Sequence, residues 1–185
     1  VDQLYRHLHT AADAVEPSGW AVLHELHTSI EKVYSGWFVP QLGAAWAKVV
    51  EGDQGLLQHW SIPDVTPQQA FYEREVQPLY SGGAKRVFVV ISDALRYEVA
   101  QELVQFTNGK NRFKASLGTM LGVLPSYTAL GMAALLPHQT LAYKQSANID
   151  VLADGHLVAT REQRNEHCRS LGGLAIKAED LMALG

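Results

Sequence analysis

Arg86-Val87-Phe88-Val89-Val90-Ile91-Ser92-Asp93-Ala94-Leu95-Arg96-Tyr97-Glu98 is the stretch that decides the fold. After the arginine, residues 87–91 are β-branched or aromatic with no polar alternation. That pattern predicts a central parallel strand over 86–91, buried on both faces. Asp93 follows at once, and residues 95–106 return to helical spacing. Strand, acidic turn and helix in that order open an α/β unit, in which ligands bind beyond the carboxyl ends of the strands. A carboxylate at Asp93 would therefore face the site, where an anionic oxygen suits a hard or borderline divalent cation. The competing reading is that Asp93 caps the helix behind it.

Working toward the C-terminus, residues 113–123 could supply a second strand broken by Gly118 and Gly122. Leu124-Pro125-Ser126-Tyr127-Thr128 then opens a helix reaching Leu136, stopped by Pro137-His138. Two hydroxyls at that junction meet free backbone N–H groups, which favour an anion. A hydroxyl so placed can attack phosphorus once a metal lowers its pKa. Ser126 could equally cap a core helix. Asp154-Gly155, flanked by residues 149–153 and 156–159, is a hairpin signal. Thr160-Arg161-Glu162-Gln163 has the pattern of a helix cap, and that helix should run to about Leu171, before Gly172-Gly173.

Toward the N-terminus the grammar is helical. Leu4, Leu8, Ala11, Ala12 and Val15 recur at helical spacing until Glu16-Pro17-Ser18-Gly19 breaks the run. Ser18 is a candidate N-cap for a helix carrying residues 20–37. A third helix spans 39–51 with Pro40 in its first turn and Gly52-Asp53 at its end. Residues 61–67 read as an irregular connection. Thr66 is a candidate N-cap with Pro67 at the first helical position, and that helix ends at Ser81-Gly82-Gly83. His7 and His9 fall on different helix faces. His24 and His27 are three apart with Glu31 beyond, but no third ligand is evident, so they read as a partly exposed face. Trp20, Trp37, Trp46 and Trp60 read as packing residues rather than a platform for stacking bases.

With 47% apolar and 18% charged residues in 185, the chain has the composition of a globular protein, which excludes global disorder. No run of about 18 apolar residues suggests a membrane span, and no basic segment before an apolar run suggests a secretory signal. The sequence begins Val1-Asp2-Gln3 and stops soon after a helical pattern, as expected of a piece of something longer. Residues 1–80 carry a net charge of −6 and residues 81–185 of +2, so neither has the basic patch that grips nucleic acid. A single cysteine, Cys168, excludes a disulfide framework and a cysteine zinc cluster, and suits a reducing cytoplasm. Cys168 itself reads as incidental. Neither a P-loop nor a dinucleotide-binding glycine fingerprint is present.

Residues 87–98, then Leu124-Pro125-Ser126-Tyr127-Thr128, then Ala133-Ala134-Leu135-Leu136-Pro137, together resemble the PglZ domain of BREX phage-defence systems, a branch of the alkaline phosphatase superfamily. The resemblance covers residues 85–185. It implies an α/β fold, with a helical region over 1–80 followed by the first part of an alkaline-phosphatase-like domain with a mainly parallel sheet. It also implies that Asp93 is a metal ligand and that Thr128 is the nucleophile and touches metal. Two zinc ions, or manganese, would serve a metal-dependent phosphatase or phosphodiesterase, with a nuclease as a variant of the same chemistry. Arg96 and Glu98 belong to the motif without a necessary catalytic role.

The family's remaining ligands, including an Asp-His pair, come later in its chains. Here His138, Asp150, Asp154, His156, Glu162, Glu166, His167, Glu179 and Asp180 follow Thr128, with no Asp-His dipeptide. Asp154 reads as a turn residue and Glu166-His167 as helix surface. The expectation is an incomplete, inactive site in this piece, within a cytoplasmic protein whose partners are other BREX proteins and a DNA or nucleotide substrate. The rival expectation is a non-catalytic module that docks other defence proteins.

Overall fold

The computed structural model describes residues 1–15, 21–52, 55–145 and 149–183. By packing, the chain divides into two units, one comprising Val1–Trp60 with Ala94–Gly118 and the other Ser61–Asp93 with Thr119–Gly185. The helical character of residues 1–80 is as expected, but the helix after Asp93 packs with the N-terminal helices.

The first unit contains α1 (Asp2–Val15), α2 (Ala21–Val33), α3 (Val39–Glu51), α4 (Leu56–His59) and α6 (Tyr97–Gly109). A π-helical turn, Tyr34–Phe38, joins α2 to α3 without a break. Its cause is Pro40, which has no N–H and whose ring crowds the carbonyl of Gly36. The turn widens, and the Val39 N–H bonds to the Tyr34 carbonyl instead. Ser18 and Trp20 lie outside the described residues.

Polar side chains close this unit. Arg6 on α1 grips Glu98 on α6 through Nε, 3.0 Å from both carboxylate oxygens, and through its terminal nitrogen at 2.9 Å. Glu102, one turn further along, accepts from Arg6, from Gln3 Nε2 at 2.8 Å and from His7 Nε2 at 2.6 Å. The bonds from Gln3 and Arg6 lower the Glu102 carboxyl to a pKa of about 2. Between α1 and the α2–α3 helix, Tyr5 stacks on Tyr34 at 3.7 Å. Neither α1, α3 nor α6 buries a residue. Trp37 and Trp46, expected to pack, are 61% and 48% exposed, because among the described residues no element covers either ring fully.

The second unit has the apolar core. β1 (Thr66–Pro67) pairs in parallel with β2 (Met120–Leu121), and β3 (Leu141–Gln145), β4 (Ile149–Ala153) and β5 (His156–Leu157) form an antiparallel sheet. Leu130, Ala133 and Ala134 of α7 (Thr128–Ala134) pack against Val151, Ala153 and Val158. The expected hairpin is present, with Asp154 at φ 51° and Gly155 at φ 82°, as a type I′ turn requires. A capping box at Thr160 and Gln163 starts α8 (Arg161–Ser170). At its far end Gly172, at φ 80°, allows the Gly173 N–H to reach the Cys168 carbonyl at 2.7 Å.

The mixed α/β class holds, with parallel pairing confined, among the described residues, to β1 and β2. Several local expectations do not. Residues 86–91 join neither sheet, and Phe88 and Val90 are 78% and 88% exposed. A strand buried on both faces needs a partner at its edges, and the described strands of this unit pair among themselves. Of residues 113–123 only Met120–Leu121 is strand. Thr66 is drawn into the parallel pair instead of capping, so Pro67 becomes the residue before a 3₁₀ turn, Gln68–Ala70. A second π-helical turn, Tyr72–Val76, precedes Pro78 in α5 (Gln77–Ser81) for the reason given at Pro40.

Candidate active site

Asp93 and Thr128 belong to the same unit, and both are exposed. Asp93 occupies the turn after the run 86–91, which is neither helix nor strand, and Ala94 beside it takes the left-handed conformation at φ 57°. The helix that follows starts only at Tyr97, with Arg96 in the N-cap position and no side-chain cap bond. Asp93 is thus not the cap of α6. Glu98, the last residue of the motif, turns to Arg6 and closes the α1–α6 seam. That gives Glu98 a structural task.

Thr128 is the first residue of α7. Tyr127 holds the N-cap position with no side-chain bond, so Ser126 does not cap this helix either. The loop before Thr128 is fixed by two devices. The Tyr127 N–H bonds to the Pro125 carbonyl at 2.8 Å, and the Gly131 N–H to the Tyr127 carbonyl at 2.9 Å. Gln68 also reaches across from the 3₁₀ turn, accepting from the Val123 N–H at 3.2 Å and donating to the Gly131 carbonyl at 3.1 Å. Val123 and Leu130 are buried in the core on either side of the loop. The hydroxyl of Thr128 is therefore carried on an anchored backbone while remaining open to solvent. Gln68 carries no sequence signal, because its role depends on a contact 55 residues away.

Five of the nine later carboxylates and histidines are committed elsewhere. Asp154 accepts from the Thr140 N–H at 2.7 Å and the Gln139 N–H at 2.9 Å, and these bonds, Thr140's foremost, hold its carboxyl below the usual range. His167 is buried, not on the surface as its polarity suggested, because its Nε2 meets the Pro137 carbonyl at 2.7 Å. His138 Nδ1 lies 2.7 Å from the Leu136 carbonyl. Glu162 pairs with Arg161, and Asp180 lies 3.5 Å from the same arginine. Cys168 packs against the core, and burial raises its thiol pKa, which suits an inert residue. Among the described residues, the group of three possible ligands close enough to hold one ion is His9, His27 and Glu31, in the other unit. Asp93 and Thr128 thus supply one carboxylate and one hydroxyl, which do not fit a pair of metal ions.

Residues 71–185 match the family described as the BREX system PglZ alkaline phosphatase-like domain. The chain is 44% identical over 184 residues to the alkaline phosphatase-like protein BrxZ of Escherichia coli O9:H4 (strain HS), a match covering 99% of this chain and 21% of that protein. It is 34% identical over 189 residues to the alkaline phosphatase-like protein PglZ of Bacillus cereus (strain H3081.97), covering all of this chain and 21% of that one. The chain therefore spans about a fifth of the length of these relatives. No solved structure matches it.

Proposed function

The chain belongs to the family of BREX PglZ alkaline phosphatase-like domains, and from that premise we propose that it carries the opening part of a phosphoryl-transfer site. Thr128 is the nucleophile and Asp93 a metal ligand. The observation that carries this reading is the exposed Thr128 hydroxyl on a loop anchored by Gln68 and the core, in one unit with Asp93. In the proposed step Thr128 Oγ1 forms a bond to phosphorus as the leaving oxygen departs, and water then cleaves the threonine–phosphoryl bond. The hydroxyl proton passes to solvent or to a base outside the described residues. The two zinc or manganese ions that the family resemblance implies need ligands beyond Asp93 and Thr128. The substrate class is a phosphodiester or phosphomonoester, such as DNA or a nucleotide, in a cytoplasmic protein working with other BREX proteins.

A second reading, a docking module, is favoured by one observation. Leu42, Trp46 and Val49, which share one face of α3, are each close to half or more exposed, a face suited to a protein partner. No described helix is long and apolar enough to cross a membrane.

The test compares the 185-residue chain with a protein of its relatives' length in one zinc- or manganese-supplemented assay on an aryl phosphodiester. Turnover is expected in the longer protein, and negligible turnover in the shorter one. Asp93→Asn in the longer protein should lower both turnover and bound metal. Robust turnover by the 185-residue chain, unchanged by Thr128→Ala, would place the chemistry elsewhere. Inactivity of the longer protein with every metal would favour the docking module.

A further inference from the structure

We propose that His9, His27 and Glu31 form a binding site for a divalent ion of the zinc class that clamps α1 to α2. The three lie within the first unit, apart from Asp93 and Thr128. His27 and Glu31 are four apart on α2 and so share a helix face, and α1 presents His9 to that face. His27 Nε2 is 3.0 Å from His9 Nδ1, and His9 Nε2 is 3.3 Å from Glu31 Oε2. Taking one ligand atom from each residue, all three lie within 4.8 Å of one another, and all three side chains are half-buried.

The chemistry of the set fits such an ion. Two imidazoles and a carboxylate are borderline ligands, as zinc prefers, and leave a fourth position for water. Ligand bonds of about 2.0–2.1 Å put neighbouring tetrahedral ligands about 3.3 Å apart. The trio must therefore draw in by at most about 1.5 Å from its 4.8 Å limit. Its surroundings resemble the outer shell that fixes ligand orientation in metal sites. Ser35 Oγ donates to Glu31 Oε1 at 2.5 Å, and the Tyr5 hydroxyl donates to Glu31 Oε2. These bonds, Ser35's first, hold the Glu31 carboxyl below its usual range and so keep it ready as an anionic ligand. Tyr5 also lies edge-on to the His9 ring at 4.4 Å, and the His9 and His27 rings are nearly perpendicular.

His24 supplies the control, since it lies on α2 one turn from His27 but outside the trio. The chain is stripped with chelator, then titrated with Zn²⁺ against a chromophoric competitor and, separately, with Co²⁺ followed by its visible absorption. Wild type should bind one more equivalent of zinc than His27→Asn or Glu31→Gln, or bind it at least tenfold more tightly. It should show the absorption of four-coordinate cobalt, and zinc should raise its melting temperature. His24→Ala should keep all three responses. Equal zinc stoichiometry and affinity in wild type and both trio variants would overturn the proposal. So would the absence of four-coordinate cobalt absorption in wild type, a result that does not depend on any variant folding.

Discussion

In the unit that carries Thr128, Leu130, Ala133, Ala134, Val151, Ala153 and Val158 are sealed against one another, and all but Leu130 expose nothing to solvent. In the other unit α1, α3 and α6 bury no residue, and charged groups such as Arg6, Glu98 and Glu102 meet across the helices instead. Both are built from amphipathic segments. The difference is whether the apolar face finds a second layer. Burial of apolar area stabilises in proportion to the surface removed from water, whereas an exposed ion pair contributes little. The unit with the core can hold the Thr128 loop in place, while the helical unit depends on polar contacts and leaves apolar surface for other molecules.

The largest expected effect contrasts two leucines. Leu130 is 5% exposed and Leu4 74% exposed. Leu130→Ala should destabilise its unit by about 2–5 kcal/mol, the usual cost of a core leucine. Leu4→Ala should stay within about 0.5 kcal/mol. Urea unfolding of both variants, followed by hydrogen exchange resolved by segment, measures this, and equal losses would erase the contrast. A smaller effect is expected at Thr160, whose hydroxyl accepts from the Gln163 N–H at 3.3 Å. Thr160→Ala should cost about 1 kcal/mol and show first as faster exchange in α8.

The smallest and most selective effect is in pH. Glu102 is lowered from an ordinary 4.5 to about 2. A depressed carboxyl stabilises the fold above its unfolded value, and that contribution fades as pH falls from about 4.5 toward 2. Amides of α1 and α6 should therefore lose protection across that window. Glu102→Gln should remove this dependence without altering exchange at Val151. An unchanged acid response in Glu102→Gln would remove the seam from the account.

What the sequence made legible follows the range of the interactions involved. The Asp154-Gly155 turn, the Thr160 cap and the helix stops at Gly82-Gly83 and Gly172-Gly173 are decided within a few residues, and all are in the structure. The helical N-terminal region was legible from periodicity, but the α1–α6 seam was not, since Arg6 and Glu98 are 92 positions apart. For the same reason His9 could not be seen beside His27, nor Gln68 beside the Thr128 loop. The run 86–91 failed differently. Its composition describes a residue set suited to two-sided burial, but burial needs neighbouring strands, and composition cannot supply them. At the candidate site the motifs identified Asp93 and Thr128, while the competing cap roles for Asp93 and Ser126 were settled only by the positions of the α6 and α7 N-caps.

If the hydroxyl of Thr128 attacks phosphorus, as proposed, Thr128→Ala and Thr128→Ser should differ sharply in a protein of the relatives' length. Both variants should retain wild-type helical signal and melting behaviour, since Thr128 is exposed and makes no cap bond. Serine, which keeps the oxygen, should retain turnover of an aryl phosphodiester within about tenfold, and alanine should lose roughly a thousandfold or more. Equal turnover in the alanine and serine variants, at or near the wild-type rate, would contradict the account.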